Sequence, residues 1–277
     1  MKITPWSEEC GALVGDAQLA NIDESEMEGL RSALATYGVL FFRNQELTPS
    51  DHLAFANGFG EIVLNKFFAP VEGYPDIAEV RKEPDQTMNI GGGWHTDHSY
   101  DEEPALGSIL VARELPQSGG DTLFANLHKA WVALPSSTKR KIKDLKALHS
   151  NVHIYGRDGY YAGTDMGKML KGADDVGQAI QPVVISHPVS GREILYVNPA
   201  HTISIDGWSE EDSKALLDEL YDHVVQPEFT CTFDWEPGSV AIWDNRLTWH
   251  YANNDYDGER RLMHRITLSG APLAAAA

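Results

Sequence analysis

Three side chains of this 277-residue chain are of the types that hold a metal ion. Trp94-His95-Thr96-Asp97 sets a histidine and an aspartate two residues apart. In an extended segment, side chains at i and i+2 point to the same side, so an imidazole nitrogen and a carboxylate oxygen can reach one ion. An H-x-D triplet alone carries little weight in a chain with 11 histidines. His250 follows the apolar run Val240-Ala241-Ile242-Trp243 and is either a core or loop histidine or a third donor. Joined to His95 and Asp97 it completes a two-histidine, one-carboxylate set with open metal positions, the arrangement of non-haem Fe(II) oxygenases.

A second group is cationic. Read as a strand, Arg261–Leu268 carries Arg261, Met263, Arg265 and Thr267 on one face and Leu262, His264, Ile266 and Leu268 on the other. The arginine face lies either in solvent or in the mouth of a barrel. In a barrel mouth each guanidinium can hold a carboxylate by two parallel hydrogen bonds. Four residues at about 3.3 Å each part the two Cα atoms by roughly 13 Å, which suits two different anions better than one.

The elements that must position these groups are mostly strands. Glu24–Tyr37 has helical spacing, with Met27, Leu30, Leu34 and Tyr37 in one stripe, and Val39–Phe42 reads as a buried strand. Thr48-Pro49 opens a second helix. Strands are expected at Ile77–Arg81, Gly107–Ala112, Val183–His187, Ile194–Asn198, Thr230–Trp235, Ser239–Asp244 and Arg261–Ser269, several separated by Pro/Gly turns. Helical inserts are expected around Leu127–Leu148, broken at Pro135, and at Glu210–Val225, capped by Ser209. Residues 155–180 hold six glycines with Tyr155, Tyr160 and Tyr161 and form either a lid or a plain surface excursion. The pattern indicates a β-sandwich or jelly roll with helical buttresses, in one domain spanning 1–277.

Composition limits the partners. With 22 basic and 41 acidic residues the formal charge is −19, a field that repels nucleic-acid backbones and anionic membranes. No apolar run approaches a membrane span. Two cysteines, Cys10 and Cys231, form no disulfide framework or zinc motif. A cytoplasmic protein is expected, one that binds neither nucleic acid nor membrane.

The order His95-x-Asp97, Gly119-Gly120-Asp121-Thr122, His250, Arg261 and Arg265 resembles the taurine dioxygenase and 2,4-dichlorophenoxyacetate dioxygenase family. The likeness runs from about Leu34 to Gly270 and includes Ser186–Gly191, Tyr196-Val197-Asn198 and Ile242–Tyr256. The intervals of 11 residues from His250 to Arg261 and 15 to Arg265 match it. The resemblance implies a double-stranded β-helix, or jelly roll, with flanking helices. It also implies Fe(II) on His95, Asp97 and His250, with 2-oxoglutarate and O2 as cosubstrates. The distal carboxylate of 2-oxoglutarate would rest on Arg261 and Thr122. Arg265 would face the acidic group of the prime substrate, a small anionic molecule, and the assembly would be a dimer or tetramer.

Aligned with taurine-specific members, the substrate pocket carries Asn65, Phe68 and Gly91 where His, Tyr and Asn are usual, and His201 in place of an aromatic residue. That change points to a roomier, more apolar pocket, unless Phe67 and Phe68 are core. The expected reaction is hydroxylation of an aryloxyalkanoate, alkyl sulfate or larger sulfonate, with release of succinate and CO2. Taurine itself is the alternative substrate. A zinc-dependent hydrolase on the same three ligands leaves the position of Arg261 unexplained, and a non-catalytic jelly-roll binding protein has no need of Asp97 beside His95.

Overall fold

The computed structural model describes residues 1–277. One large sheet forms the back of the molecule. Its strands run in the order Lys2–Pro5, Ala12–Gly15, Val39–Phe42, Val240–Asp244, Gly107–Glu114, Arg261–Leu268, Tyr74–Lys82 and Pro70–Val71, with Ile62–Val63 added to the end of Arg261–Leu268. Every pairing is antiparallel except that of Ala12–Gly15 with Val39–Phe42. Facing it, Thr122–Asn126 is the centre of a three-stranded sheet with Thr230–Phe233 and Thr248–Ala252 on its two sides. A second three-stranded sheet has Lys146–Ser150 between Gln178–Pro182 and Thr202–Ile205, and Val184–Ser186 pairs with Glu193–Leu195. Two packed layers of antiparallel strands with helices outside them make the expected jelly roll.

Alternation along the central strands builds two cores. Val39 and Phe41 point inward and meet Leu110, Trp243 and Met263 of their own sheet and Phe124, Phe233 and Cys231 of the facing one. Leu40 and Phe42 point outward and, with Ile109, Val111, Ile242, Ile266 and Leu268, bury the helices Glu24–Tyr37 and Pro49–Phe59. Both helices begin with a capping box, Asp23 with Glu26 and Thr48 with Asp51. The first helix has the bounds its apolar spacing indicates, and Glu210–Val224 is capped by Ser209.

One expectation is corrected. Leu127–Leu148 is not all helix: Leu127–Ala133 and Ser136–Ile142 are helical, but Lys146–Ser150 is a strand. Its residues Ala147 and His149 turn inward, and hydrogen bonding from neighbours on both sides overrides the local helical pattern. The glycine-rich stretch is largely irregular, with one short helix at Asp165–Met169 capped by Thr164.

His52, on the second helix, lies wholly inside, and neither ring nitrogen has a hydrogen-bond partner. Burial, with Arg113 and His264 nearby, pushes its pKa down to about 3. In the unfolded chain an imidazole takes a proton below about pH 6.5. The folded state therefore binds fewer protons than the unfolded state between about pH 6.5 and 3, and stability falls as pH drops through that window. At pH 5 the penalty is about 2 kcal/mol. His52→Leu is expected to remove that much of the loss in stability between pH 7 and pH 5, as read by urea unfolding; equal losses in parent and variant would contradict this.

Candidate active site

The site begins with a backbone contact. His95 N–H donates to the His250 carbonyl at 3.1 Å, and His250 N–H donates to the His95 carbonyl at 2.8 Å. The two histidines thus form one isolated antiparallel bridge, directly opposed, and their rings lie 4.0 Å apart between centroids. Asp97 follows two residues later on the same side, as the extended spacing requires. Thr96, pointing the other way, donates its hydroxyl to the Asn245 carbonyl and pins the triplet to the strand end before His250. Just beyond Asp97 the chain turns sharply, with His98 at φ +60°, a conformation uncommon outside glycine.

The donor atoms converge. His95 Nε2 lies 3.6 Å from Asp97 Oδ1, and His250 Nε2 lies 3.7 Å from Asp97 Oδ2. One ligand atom from each of the three residues falls within 4.8 Å of the others. His95 Nδ1 is 2.8 Å from the Gly93 carbonyl, which makes Nδ1 the protonated nitrogen and leaves the Nε2 lone pair to face the carboxylate. Burial, reinforced by His95, holds His250 neutral well below its ordinary pKa. Burial raises the Asp97 carboxyl, but attraction to neighbouring positive charge, the Arg265 guanidinium above all, outweighs it and holds it well below the usual carboxylate range. A neutral His250, a His95 whose Nε2 faces the carboxylate and an ionised Asp97 form a donor set that suits a divalent cation.

Both arginines face inward. Arg265 Nη2 donates to Asp97 Oδ2 at 2.7 Å and to Ser108 Oγ at 2.9 Å, while its Nε is buried without a partner. Arg261 is buried, and its Nε and Nη2 have no partner. Trp235 connects it to Thr122: the indole stands 5.7 Å from the Arg261 guanidinium carbon and donates to Thr122 Oγ1 at 2.9 Å. The Thr122 hydroxyl proton therefore stays available. Gly119 and Gly120 both have positive φ, and a Cβ on Gly120 would stand 3.2 Å from the Arg261 side chain, so the loop before Thr122 passes tight against the arginine.

A cavity of about 570 Å³ opens beside His95. Its walls include Gly91, Gly92, Gly93, Tyr155, Tyr160, Tyr161, His201, Tyr251 and Asn254, and none of its lining residues is Lys, Arg, Asp or Glu. A Cβ on Gly91, at φ +83°, would sit 3.3 Å from His95 Cε1 and press on that ring, in a backbone conformation that favours glycine. His201 stands edge-on to both His95 and Tyr100, with ring centroids at 6.4 and 4.8 Å.

Two residues expected in the substrate pocket, Asn65 and Phe68, are not among those lining this cavity. Asn65 Oδ1 accepts the backbone N–H groups of Phe67 and Phe68, both at 2.9 Å, so its side chain closes a local turn. Phe68 is buried with Phe67 and Ala78 behind the wall, and Phe67 stacks on Tyr155 at 4.5 Å. The wall itself is tyrosine, from the glycine-rich stretch. Its signal in the sequence was the pairing of Tyr155, Tyr160 and Tyr161 with flexible neighbours, but periodicity cannot say which cavity a loop covers.

The sequence pattern of the family described as taurine catabolism dioxygenase TauD, TfdA family matches residues 2–267. An alkylsulfatase of Acinetobacter baylyi is 34% identical over 94% of this chain and 82% of its own length. An (S)-phenoxypropionate/alpha-ketoglutarate-dioxygenase of Sphingobium herbicidovorans is 31% identical over 99% of this chain and 97% of its own. The crystal structure of a taurine dioxygenase from Burkholderia xenovorans superposes with a TM-score of 0.82, 33% identity, and coverage of 99% of this chain and 91% of that one.

Removing one of three converging donors leaves an incomplete site. His95→Ala, Asp97→Ala and His250→Ala are each expected to weaken Mn(II) binding by about 100-fold or more, or about 2.7 kcal/mol, in calorimetric titration. Near-parent Mn(II) affinity in any of them would contradict the site.

Proposed function

The chain belongs to the taurine catabolism dioxygenase TauD, TfdA family, and from that premise we propose that it is an Fe(II)- and 2-oxoglutarate-dependent dioxygenase acting on a small organic acid with an apolar body. The observation that carries this reading is the pairing of a three-donor cluster with a buried, unpartnered Arg261. A buried guanidinium with open donors is costly unless an anion meets it.

In this reading His95 Nε2, His250 Nε2 and Asp97 hold Fe(II), and Arg261 with the Thr122 hydroxyl takes the distal carboxylate of 2-oxoglutarate. Bound there with O2, the metal and cosubstrate supply an oxidant for a substrate C–H bond, with succinate and CO2 as co-products. The protein's own residues orient and protect. Arg265, bonded through one nitrogen to Asp97 Oδ2 and Ser108, fixes the carboxylate's rotation, so that Asp97 would be held ready as a ligand to Fe(II). The same guanidinium keeps its Nε open, and with the metal it provides the positive charge that draws a substrate's acidic group to the inner end of the cavity. Tyr155 lines the cavity and lies close enough to Arg265 and Asp97 for both to act on its phenol. The tyrosine faces hold the apolar body and exclude water.

Alkyl sulfates and aryloxyalkanoates suit this cavity. Taurine, with two carbons, would leave most of it unfilled and its ammonium without a carboxylate on the wall. Reduced Cys10 and Cys231 suit a reducing compartment, the cytoplasm. No helix is long and apolar enough to cross a membrane.

Breaking a buried charge pair of the kind assigned to Arg261 costs about 2–5 kcal/mol. Arg261→Ala is accordingly expected to raise the KM for 2-oxoglutarate by about 30-fold or more. In a panel scored by succinate release, alkyl sulfates and aryloxyalkanoates are expected to exceed taurine. An unchanged 2-oxoglutarate requirement would remove Arg261 from its role, and taurine as best substrate would overturn the pocket reading.

A further inference from the structure

Lys82 is the one lysine buried inside the fold, with a relative exposure of 1%. It ends the strand Tyr74–Lys82 and shares an inward face with Ala78 and Val80. Its cross-strand partner is Arg261, in a register that also sets Val80 against Met263 and Ala78 against Arg265. Directly opposed residues on one face bring their Cβ atoms to about 5 Å. Two buried cations therefore enter the same end of the jelly roll side by side.

Little negative charge answers them. Lys82 Nζ donates to Asn254 Oδ1 at 2.9 Å, and its nearest carboxylate is Asp257 at 3.7 Å, on a side chain 90% exposed. Arg261 makes no ion pair within 4.0 Å, Asp121 acts on it only from farther off, and two of its nitrogens are unpartnered. An ammonium has three donors, and one neutral amide oxygen uses a single one. Lys82 Nζ sits 4.3 Å over the Tyr256 ring; burial pushes the pKa of that phenol up and Arg261 pulls it down. Asn254, which takes the ammonium, is also part of the cavity wall. Such an arrangement is expensive in an empty protein and favourable once a ligand brings negative charge to Arg261.

We propose that Lys82 is a second cationic determinant of the 2-oxoglutarate pocket, a positioning residue that holds Tyr256 and Asn254 in place beside its cross-strand partner Arg261 and adds its charge to the attraction for the distal carboxylate. This rests on the reading of Arg261 as the cosubstrate's anchor. The role requires a charge at position 82, so a lysine that only fills space would not reproduce its effects.

The test is calorimetric titration of the full chain loaded with Mn(II). Lys82→Met is expected to raise the Kd for 2-oxoglutarate about tenfold or more, and Lys82→Arg to restore it to within about threefold of the parent. Mn(II) affinity without cosubstrate stays within about twofold, as does binding of 2-oxobutyrate, which lacks the distal carboxylate. Asp257→Asn, a change at an exposed position, unscreens the ammonium and is expected to tighten 2-oxoglutarate about twofold or more. An unchanged Kd for 2-oxoglutarate in Lys82→Met overturns the proposal, as does an equal loss for 2-oxobutyrate. If Lys82→Met does not fold, an unchanged Kd in Asp257→Asn overturns it instead. If the Mn(II)-loaded parent fails to bind 2-oxoglutarate, or binds it equally well as Arg261→Ala, the cosubstrate reading itself falls and takes this proposal with it. Normal binding by the parent with no effect of Lys82 defeats this proposal alone.

Discussion

The two-bond backbone bridge between His95 and His250 is the constraint on which the site depends. It joins residues more than 150 positions apart in sequence and makes them directly opposed, so that two imidazoles face one space. The rest of the fold secures that bridge. Thr248–Ala252 is held in register by Thr122–Asn126, and the same pairing sets Thr122 at the sheet's end near Arg261. The irregular run after the bridge turns at His98 and is fixed through Thr96, so Asp97 has little freedom to leave the group.

Charge is distributed in opposition to the net value. The chain carries −19 overall, yet the jelly-roll interior holds Arg261, Arg265, Lys82 and Arg246. Arg246 is paired with Asp244, which also receives His187 at 3.0 Å, and Arg265 meets Asp97 through one nitrogen and keeps its Nε open. Asp244 stays ionised despite burial because Arg246 and His187 outweigh the desolvation. Arg261 and Lys82 have no such buried carboxylate. The molecule thus presents a positive interior target at the base of an acidic surface, which favours small dianions over polyanions.

Much of this was legible in the sequence, for definite reasons. His95 and Asp97 follow from the period of two, Glu24–Tyr37 from the period of 3.6, and the shared face of Arg261 and Arg265 from alternation along Arg261–Leu268. What escaped was set by packing between distant segments. Asn65 and Phe68 occupy positions that alignment assigns to the pocket, but a local turn and a small apolar cluster claim them, and the tyrosines of a glycine-rich loop take their place. Lys146–Ser150 extends a helical pattern and is nonetheless a strand, because neighbours on both sides complete its hydrogen bonds. Lys82 lies one residue past the expected strand Ile77–Arg81, and the register with Arg261 places it on the inward face.

The central claim is that the His95, Asp97 and His250 cluster and Arg261 together bind Fe(II) and 2-oxoglutarate as one unit. Anaerobic absorption spectroscopy tests it directly. Adding 2-oxoglutarate to the Fe(II)-loaded protein should produce a weak visible metal-to-ligand charge-transfer band that saturates at one equivalent of each per chain. No band at saturating Fe(II) and 2-oxoglutarate would contradict the account and leave the hydrolytic or purely binding alternatives in its place.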